Sequence, residues 1–327
     1  MDDEQTVLVL TNPRDITADL VVQKLHESGT PVFRCDLADF PTELTLEAHN
    51  DGGWIGVLRH ADREINLAEI RSIYCRRPTA FRLPADMTDD EREFAATEAQ
   101  AGFTGVLMSL PCRWINHPVA ARVASCKPYQ LMLARSSGLV TPRSIITNDP
   151  AAARHFISEQ QGPVIYKGIG RDFAQDPAHI PTPIVRPVAA EEIDESVRLT
   201  AHIFQQFVPK SHDIRLVVVG TRMFGVQIHA HSEDATLDWR ADYAPLTYLP
   251  AEIPDEVRTG VARLMSHLNL VFGVLDFVVA LDGTWHFLEI NTNGQWAWLP
   301  EVANTIANAI SVNLATALAR LTEVSAS

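Results

Sequence analysis

The sequence predicts a mixed α/β (α+β) fold arranged in three lobes, and three observations carry that expectation. The chain opens on a β-α-β unit: an apolar run over 6–10, helical spacing over 16–27 stopped by Gly29, and a second apolar run over 31–35. Its middle alternates short apolar runs with segments that carry helix caps and stops. Its last third alternates apolar and polar residues around the turn dipeptides Gly220-Thr221 and Asp282-Gly283, the pattern of antiparallel strands. With 327 residues and 46% hydrophobic content, the chain can bury a large core in two or three lobes.

The first lobe is expected over 1–118. Its opening resembles half of a nucleotide-binding fold, but no GxGxxG follows the first strand, which argues against a dinucleotide site. After a polar meander around Asp51-Gly52-Gly53, a strand over 72–75 ends in Arg76-Arg77-Pro78. Two arginines at a strand end can grip a carboxylate or phosphate through paired N–H groups, or simply line a solvated loop. Thr88 with Glu91 forms a capping box for a long helix to about Leu110.

The central lobe is expected over 119–204. A helix within 124–142 is stopped by Gly138, and Lys127 near its start stands where amide dipoles and an ammonium group can hold phosphates. A strand over 143–147 follows, then a helix capped by Asp149-Pro150 and ended by Gly162. The strand over 163–167 delivers Lys167 to a loop with glycines at 168 and 170, although most such lysines are plain surface residues. The proline-rich stretch 172–187 reads as an irregular cover.

The C-terminal lobe is expected over 205–327. Strands over 203–208, 214–219 and 223–229 carry Arg215, with Arg240 beyond the last of them. His229 and His231 share a strand face but lack a third ligand at metal spacing. A helix over 255–268 leads into the hairpin VFGVLDFVVALDGTWHFLEINTNGQW. If Asp282-Gly283 is a two-residue turn, Asp276 lies opposite Glu289, with Asn291 on the same face. Facing carboxylates repel, so a cation is expected between them unless the face is merely solvated. Oxygen ligands of this kind suit Mg²⁺ or Mn²⁺ rather than zinc. A final amphipathic helix over 302–321 reads as packing.

Composition narrows the function. Twenty-seven basic against 41 acidic residues give a net charge of −14, which disfavours nucleic acid and anionic membranes as partners. The start MDDEQTVLVL is acidic where a signal peptide is basic, and no apolar run approaches the roughly 18 residues of a membrane helix, so a cytoplasmic location is expected. Cys35, Cys75, Cys112 and Cys126 match neither a zinc spacing nor a disulfide framework and are expected to be reduced and mostly buried.

The order Lys127, Lys167, the segment Gln205-Gln206-Phe207-Val208, Arg215, Asp276 and Glu289-x-Asn291 resembles the ATP-grasp superfamily over about 116–315, with a pre-ATP-grasp lobe before it. That resemblance implies three lobes clasping ATP. It implies Lys127 and Lys167 on the phosphates, the hinge Gln206 to Val208 reading adenine through its backbone with Gln205 beside it, and Asp213 near the ribose. It also implies that Asp276, Glu289 and Asn291 hold two Mg²⁺ ions. Arg215 and Arg240 would neutralise the transferred phosphoryl group. The hinge departs from the family in carrying Gln206 where a Glu is common.

The triplet Asp238-Trp239-Arg240, with Arg76 and Arg77, is similar to the graspetide synthetases, which macrocyclise ribosomal peptides of the microviridin kind. Asp238, Arg215 and Arg240 are then candidate catalytic residues, and Arg76 and Arg77 candidate substrate contacts. The implied reaction activates Asp or Glu side chains of a precursor peptide with ATP for attack by Ser, Thr or Lys. The implied partner is a precursor peptide of leader plus core, and a homo-oligomer is compatible. Another ATP-grasp carboxylate-amine ligase, or a non-catalytic ATP- or peptide-binding protein, are the rival readings.

Overall fold

The computed structural model describes residues 5–170, 185–244 and 246–316. Its first part comprises β1 (Thr6–Leu10), α1 (Ile16–Glu27), β2 (Val32–Cys35), β3 (Leu44–Asn50), β4 (Trp54–His60), β5 (Arg63–Asn66), β6 (Ile70–Cys75), α2 (Asp89–Ala99), α3 (Gly105–Met108) and β7 (Arg113–Ile115). A parallel sheet runs β2-β1-β6-β7, with β3-β4-β5 as a separate antiparallel meander. After Thr6, β1 is apolar because both its faces are covered: Val7, Leu8 and Val9 are fully buried. The meander reads as polar in sequence because it buries few side chains, Leu44, Leu58 and Ile65 among them. The Thr88/Glu91 capping box forms as expected. The single helix expected up to Leu110 is instead interrupted by a π turn over Gln100–Thr104.

The middle comprises α4 (Pro118–Ala124), α5 (Lys127–Ser136), β8 (Ser144–Thr147), α6 (Pro150–Ser158), β9 (Val164–Lys167), β10 (Val185–Val188) and β11 (His202–Gln206). The four strands form an antiparallel sheet in the order β10-β9-β11-β8. Asp149 caps α6 through the amide of Ala151, but the helix stops at Ser158, before Gly162. Most of the expected cover over 172–187 lies outside the described residues, and its last residues form β10. The chain leaves this sheet between Gln206 and Lys210, a few residues later than the expected boundary at 204/205.

The last part comprises β12 (Lys210–Val219), β13 (Arg222–Ala230), α7 (Glu233–Leu237), β14 (Leu246–Pro250), α8 (Asp255–His267), β15 (Phe272–Ala280), β16 (Trp285–Asn291) and α9 (Ala303–Ala315). Its strands form one antiparallel sheet, β14-β13-β12-β15-β16. Ile214, Leu216 and Val218 pack with α5 and α8 on one face, while Val217, Val219 and Val274 pack with α1 and α9 on the other. The final helix thus ties this sheet to the first lobe. Arg71 and Ser72 donate to the carbonyls of Ala315 and Leu314 at 2.5 and 2.8 Å. Residues 317–321 of the expected helix lie outside the described residues. All four cysteines are free thiols, but only Cys35 is buried and Cys126 is exposed, a correction to the expectation that most are inside.

The β15–β16 hairpin corrects the expected turn while keeping the expected pairing. The loop has three residues, not two. Gly283 donates to the Ala280 carbonyl and Ala280 to the Thr284 carbonyl, both at 2.9 Å, and Gly283 takes a left-handed φ of +87° that suits glycine. This shifts the ladder by one, so Phe277 pairs with Phe287. A bulge at Leu288 then shifts it back, and Asp276 faces Glu289 after all. The two irregularities cancel. Between them, Phe287 is turned into the core against Phe277, with ring centroids 5.6 Å apart.

Asn116 sews the first lobe to this hairpin. Its Oδ1 accepts from the amides of Val271 and Phe272 at 3.0 and 2.9 Å, and its Nδ2 donates to the Phe272 carbonyl at 2.7 Å. The side chain is buried, so Asn116→Ala leaves those groups without partners. The expected loss is about 1–3 kcal/mol for each stranded amide, read from urea unfolding. A loss under about 0.5 kcal/mol contradicts the assignment.

Candidate active site

Three neighbouring strands set three charges in one row. Arg215 on β12 lies opposite Asp276 on β15, and Asp276 lies opposite Glu289 on β16. Arg215 Nη1 donates to Asp276 Oδ1 at 2.8 Å and its Nη2 to the Gln295 carbonyl at 2.8 Å. Arg240 bridges the two carboxylates: its Nη2 donates to Asp276 Oδ2 and, at 3.3 Å, to Glu289 Oε1. Lys127 Nζ lies 3.4 Å from Glu289 Oε2 and donates to the Gly168 carbonyl at 3.0 Å. Each of the four carboxylate oxygens therefore faces a cationic side chain.

The backbone around the row explains how the cations arrive. Lys127 opens α5, and one turn later Gln130 pairs its amide with the backbone of Ile290, accepting at 3.0 Å and donating at 2.9 Å. That pairing satisfies the outer edge of β16 and fixes α5 beside Glu289. Lys167 ends β9, where the central sheet meets the same row. Arg240 is set by the turn Trp239–Ala241, which Asp238 caps through the amide of Arg240 at 3.1 Å. Asp238 Oδ1 also accepts from Arg240 Nη1 at 3.3 Å. The buried ring of Trp239 lies under both guanidinium groups, 4.8 Å from Arg240 Cζ and 5.6 Å from Arg215 Cζ.

Protonation follows from these neighbours. Burial disfavours the Glu289 anion, but Arg240, Lys127 and Lys167 outweigh it and hold the carboxyl well below its ordinary value. Burial likewise opposes charge on Arg240, and Asp276, Glu289 and Asp238 more than compensate, raising its affinity for the proton. Lys167 goes the other way. Burial pushes its ammonium down to about 8; Glu289 opposes the shift, and Lys127 and Arg240 add to it.

Lys127, Lys167, Arg215, Asp238, Arg240, Asp276 and Glu289 are thus brought together. Asn291 shares the strand face, opposite Val274, but its Oδ1 accepts from the amide of Asn293 at 2.8 Å and shapes the exit from β16. Asp213 lies on the same face of β12, yet it is 4% exposed and paired to Lys210 Nζ at 2.7 Å. Burial raises its carboxyl to about 6 against the pull of Lys210. Gln205 is buried, with Nε2 donating to Ser144 Oγ at 2.9 Å. The amides of Gln206 and Phe207 donate to the carbonyls of Arg143 and Pro163 at 2.8 and 2.9 Å.

Arg76 and Arg77 part company. Arg76 is 1% exposed and spent on the protein: its Nε lies 3.1 Å from Asp15 Oδ2, and its Nη groups donate to the carbonyls of Asn293 and Gly294 and, at 2.7 Å, to Gln295 Oε1. It is a structural arginine, which corrects its assignment as a substrate contact. Arg77 takes a left-handed φ of +46° and is exposed, with its guanidinium free of ion pairs among the described residues. Gln130, Trp239 and Gln295 escaped the sequence reading. Gln130 sits three residues after Lys127 and so on the same helical face, the one signal that pointed to it.

The comparisons with known proteins bear on the fold. Residues 6–122 match the MvdD pre-ATP-grasp domain family. The chain superposes on the macrocyclase MdnC from Microcystis aeruginosa MRC, solved with its precursor peptide MdnA, at a TM-score of 0.83 and 27% identity, covering 95% of this chain and all of that one. The fold is that of the ATP-grasp ligases. Macrocyclase MdnB from the same organism matches at a TM-score of 0.77 and 28% identity, over 95% of this chain and 99% of that one. A Chryseobacterium gregarium RiPP-associated ATP-grasp ligase, solved with ADP and a leader and core peptide, matches at 0.84 and 23% identity, over 95% and 96% of the two chains. No curated protein matches the chain. The resemblance to graspetide synthetases drawn from the sequence is borne out. Among the described residues no helix is long and apolar enough to cross a membrane.

If Arg76 is structural in this ATP-grasp fold, Arg76→Met strands Asp15 in the interior. Urea unfolding is expected to show a loss of about 3–5 kcal/mol, the cost of breaking a buried ion pair. Unchanged stability with weakened peptide binding points back to a substrate contact.

Proposed function

We propose that this protein is an ATP-dependent peptide macrocyclase that activates Asp or Glu side chains of a ribosomal precursor peptide. The observation that carries this reading is the cation-ringed pair Asp276 and Glu289, seated in a fold that matches peptide macrocyclases along 95% of the chain. The donor set fits Mg²⁺: two carboxylates and one amide oxygen, all hard oxygens, on one strand face. Arg240 placed between them supports this reading, since a cationic group already lies against both carboxylates. Asp276, Glu289 and Asn291 would hold the metal, two ions by analogy, and its chemistry there is to neutralise charge on the phosphates of ATP.

The protein's own residues divide the remaining work. Lys127 and Lys167 contact the ATP phosphates, and the carbonyl of Gln206 with the backbone of Val208 is left to read adenine, since the amides of Gln206 and Phe207 are engaged. The γ-phosphoryl group passes to a peptide carboxylate, giving an acyl phosphate and ADP. A Ser or Thr hydroxyl, or a Lys amine, then attacks the acyl carbon and phosphate leaves, forming an ester or amide. Arg215 steadies the developing charge, and Arg240, held by Asp238, meets the acyl phosphate. Arg77, exposed and unpaired among the described residues, is the candidate contact to the peptide acids. We divide the chain as 1–118, 119–204 and 205–327, with the second boundary moved to just after Gln206, where β11 ends.

An acidic, Thr/Ser-rich peptide from a neighbouring reading frame, incubated with the protein, ATP and Mg²⁺, should lose one water per link by mass spectrometry. A gain in mass identifies an amino-acid ligase instead, and no ATP-dependent change identifies a binding protein. Glu289→Gln should lower product formation at least about a hundredfold. Retained turnover removes Glu289 from the metal site.

Lys167 gives a pH signature. Its ammonium, depressed to about 8, is lost as pH rises through that value, and bound phosphates favour its return. ATP binding near pH 8 should therefore take up protons, measured by calorimetry in buffers of different ionisation enthalpy, with affinity falling at higher pH. Lys167→Met should abolish the uptake; equal uptake in the variant refutes the assignment.

A further inference from the structure

Arg215 and Arg240 both neutralise Asp276, but they are held differently. The Arg215 side chain is 7% exposed, anchored by Asp276 on one side and the Gln295 carbonyl on the other. The Arg240 side chain is 34% exposed, and its contacts fall into two sets. One set is Asp276 Oδ2 and Glu289 Oε1, on the two carboxylates assigned above to metal. The other is Asp238 Oδ1 and the face of Trp239, which are independent of the carboxylate pair. A guanidinium and a divalent cation cannot share the gap between two carboxylates, because like charges at that distance repel strongly.

We propose that Arg240 is a resident counter-ion that the metal displaces, so that metal loading itself releases the guanidinium toward the acidic acceptor. This rests on the metal reading of Asp276 and Glu289. Lying between the two carboxylates, Arg240 offsets the repulsion that would otherwise burden β15 and β16. When the carboxylates take the cation, Arg240 gives up Nη2 contacts to Asp276 and Glu289 but keeps Asp238 and Trp239, so it moves on a short tether rather than escaping to solvent. Arg215, locked on both sides, stays in place. The exchange imposes an order: the guanidinium that meets the peptide carboxylate becomes available only once the metal is seated, which protects the site from engaging the peptide before it can activate it.

The test uses the full-length protein without nucleotide or peptide, and Mn²⁺ as the probe. Electron paramagnetic resonance titration should give a Kd about tenfold lower for Arg240→Met than for the native protein, since a competing charge is gone. Glu289→Gln should remove the site in both backgrounds. In the native protein, phenylglyoxal labelling of Arg240, mapped by mass spectrometry, should accelerate severalfold on saturation with Mn²⁺, a readout that needs no variant to fold. Glu289-dependent Mn²⁺ binding that is unchanged or weaker in Arg240→Met, or labelling that slows with metal, overturns the exchange and leaves the metal site standing. No Glu289-dependent Mn²⁺ binding in either protein overturns both.

Discussion

Two carboxylates facing each other across a β ladder repel, and much of this fold answers that repulsion. Asp276 and Glu289 are paired by the register of β15 and β16, the first buried and the second partly so, with little water to dilute their charge. Left alone, such a pair would share a proton or push the strands apart. Here four cations from separate segments converge: Arg215 from the adjacent strand, Arg240 from a capped turn, Lys127 from a helix start and Lys167 from the central sheet. The acids gather the cations, and the cations keep the acids ionised. A site so balanced is suited to phosphate and acyl-phosphate chemistry, which asks for placed charge rather than a protein nucleophile.

The first lobe contributes stiffness rather than a ligand to the row. Arg76, fully buried, ties Asp15 at the start of α1 to the segment after β16, holding the carbonyls of Asn293 and Gly294 and the amide of Gln295. Thr17 donates to the same amide oxygen at 2.6 Å. The Gln295 carbonyl in turn anchors Arg215. A continuous chain of charged and hydrogen-bonded groups thus runs from α1 to Asp276. Asn116 and Gln130 do similar work on the backbones of β15 and β16.

Much of this was legible in the sequence, for identifiable reasons. Helix caps are local, so Thr88 with Glu91, and Asp149 with Pro150, fixed their helices from neighbouring residues alone. The pairing of Asp276 with Glu289 was also legible, but by a count that omitted a three-residue loop and a bulge whose shifts cancel. Neither leaves a mark in the alternation of side chains. Arg76 and Arg77 show the other limit. They are adjacent and chemically identical, yet one is buried against Asp15 and Gln295 and the other is exposed, a difference made by residues far from both in sequence. Asp213 shows a further limit: its pairing with Lys210, three residues away, and its burial are set by the folded sheet and leave no mark in the alternation of side chains.

The central claim is that the carboxylate pair stays ionised because cations surround it, not because it shares a proton. Carbon-13 NMR of carboxyl-labelled glutamate in the metal-free protein, with the Glu289 signal assigned by its loss in Glu289→Gln, tests this directly. The signal should remain that of a carboxylate well below the ordinary glutamate value of 4.5. Titration at or above that value would mean that Asp276 and Glu289 hold a proton between them, and the charge balance described here would be wrong.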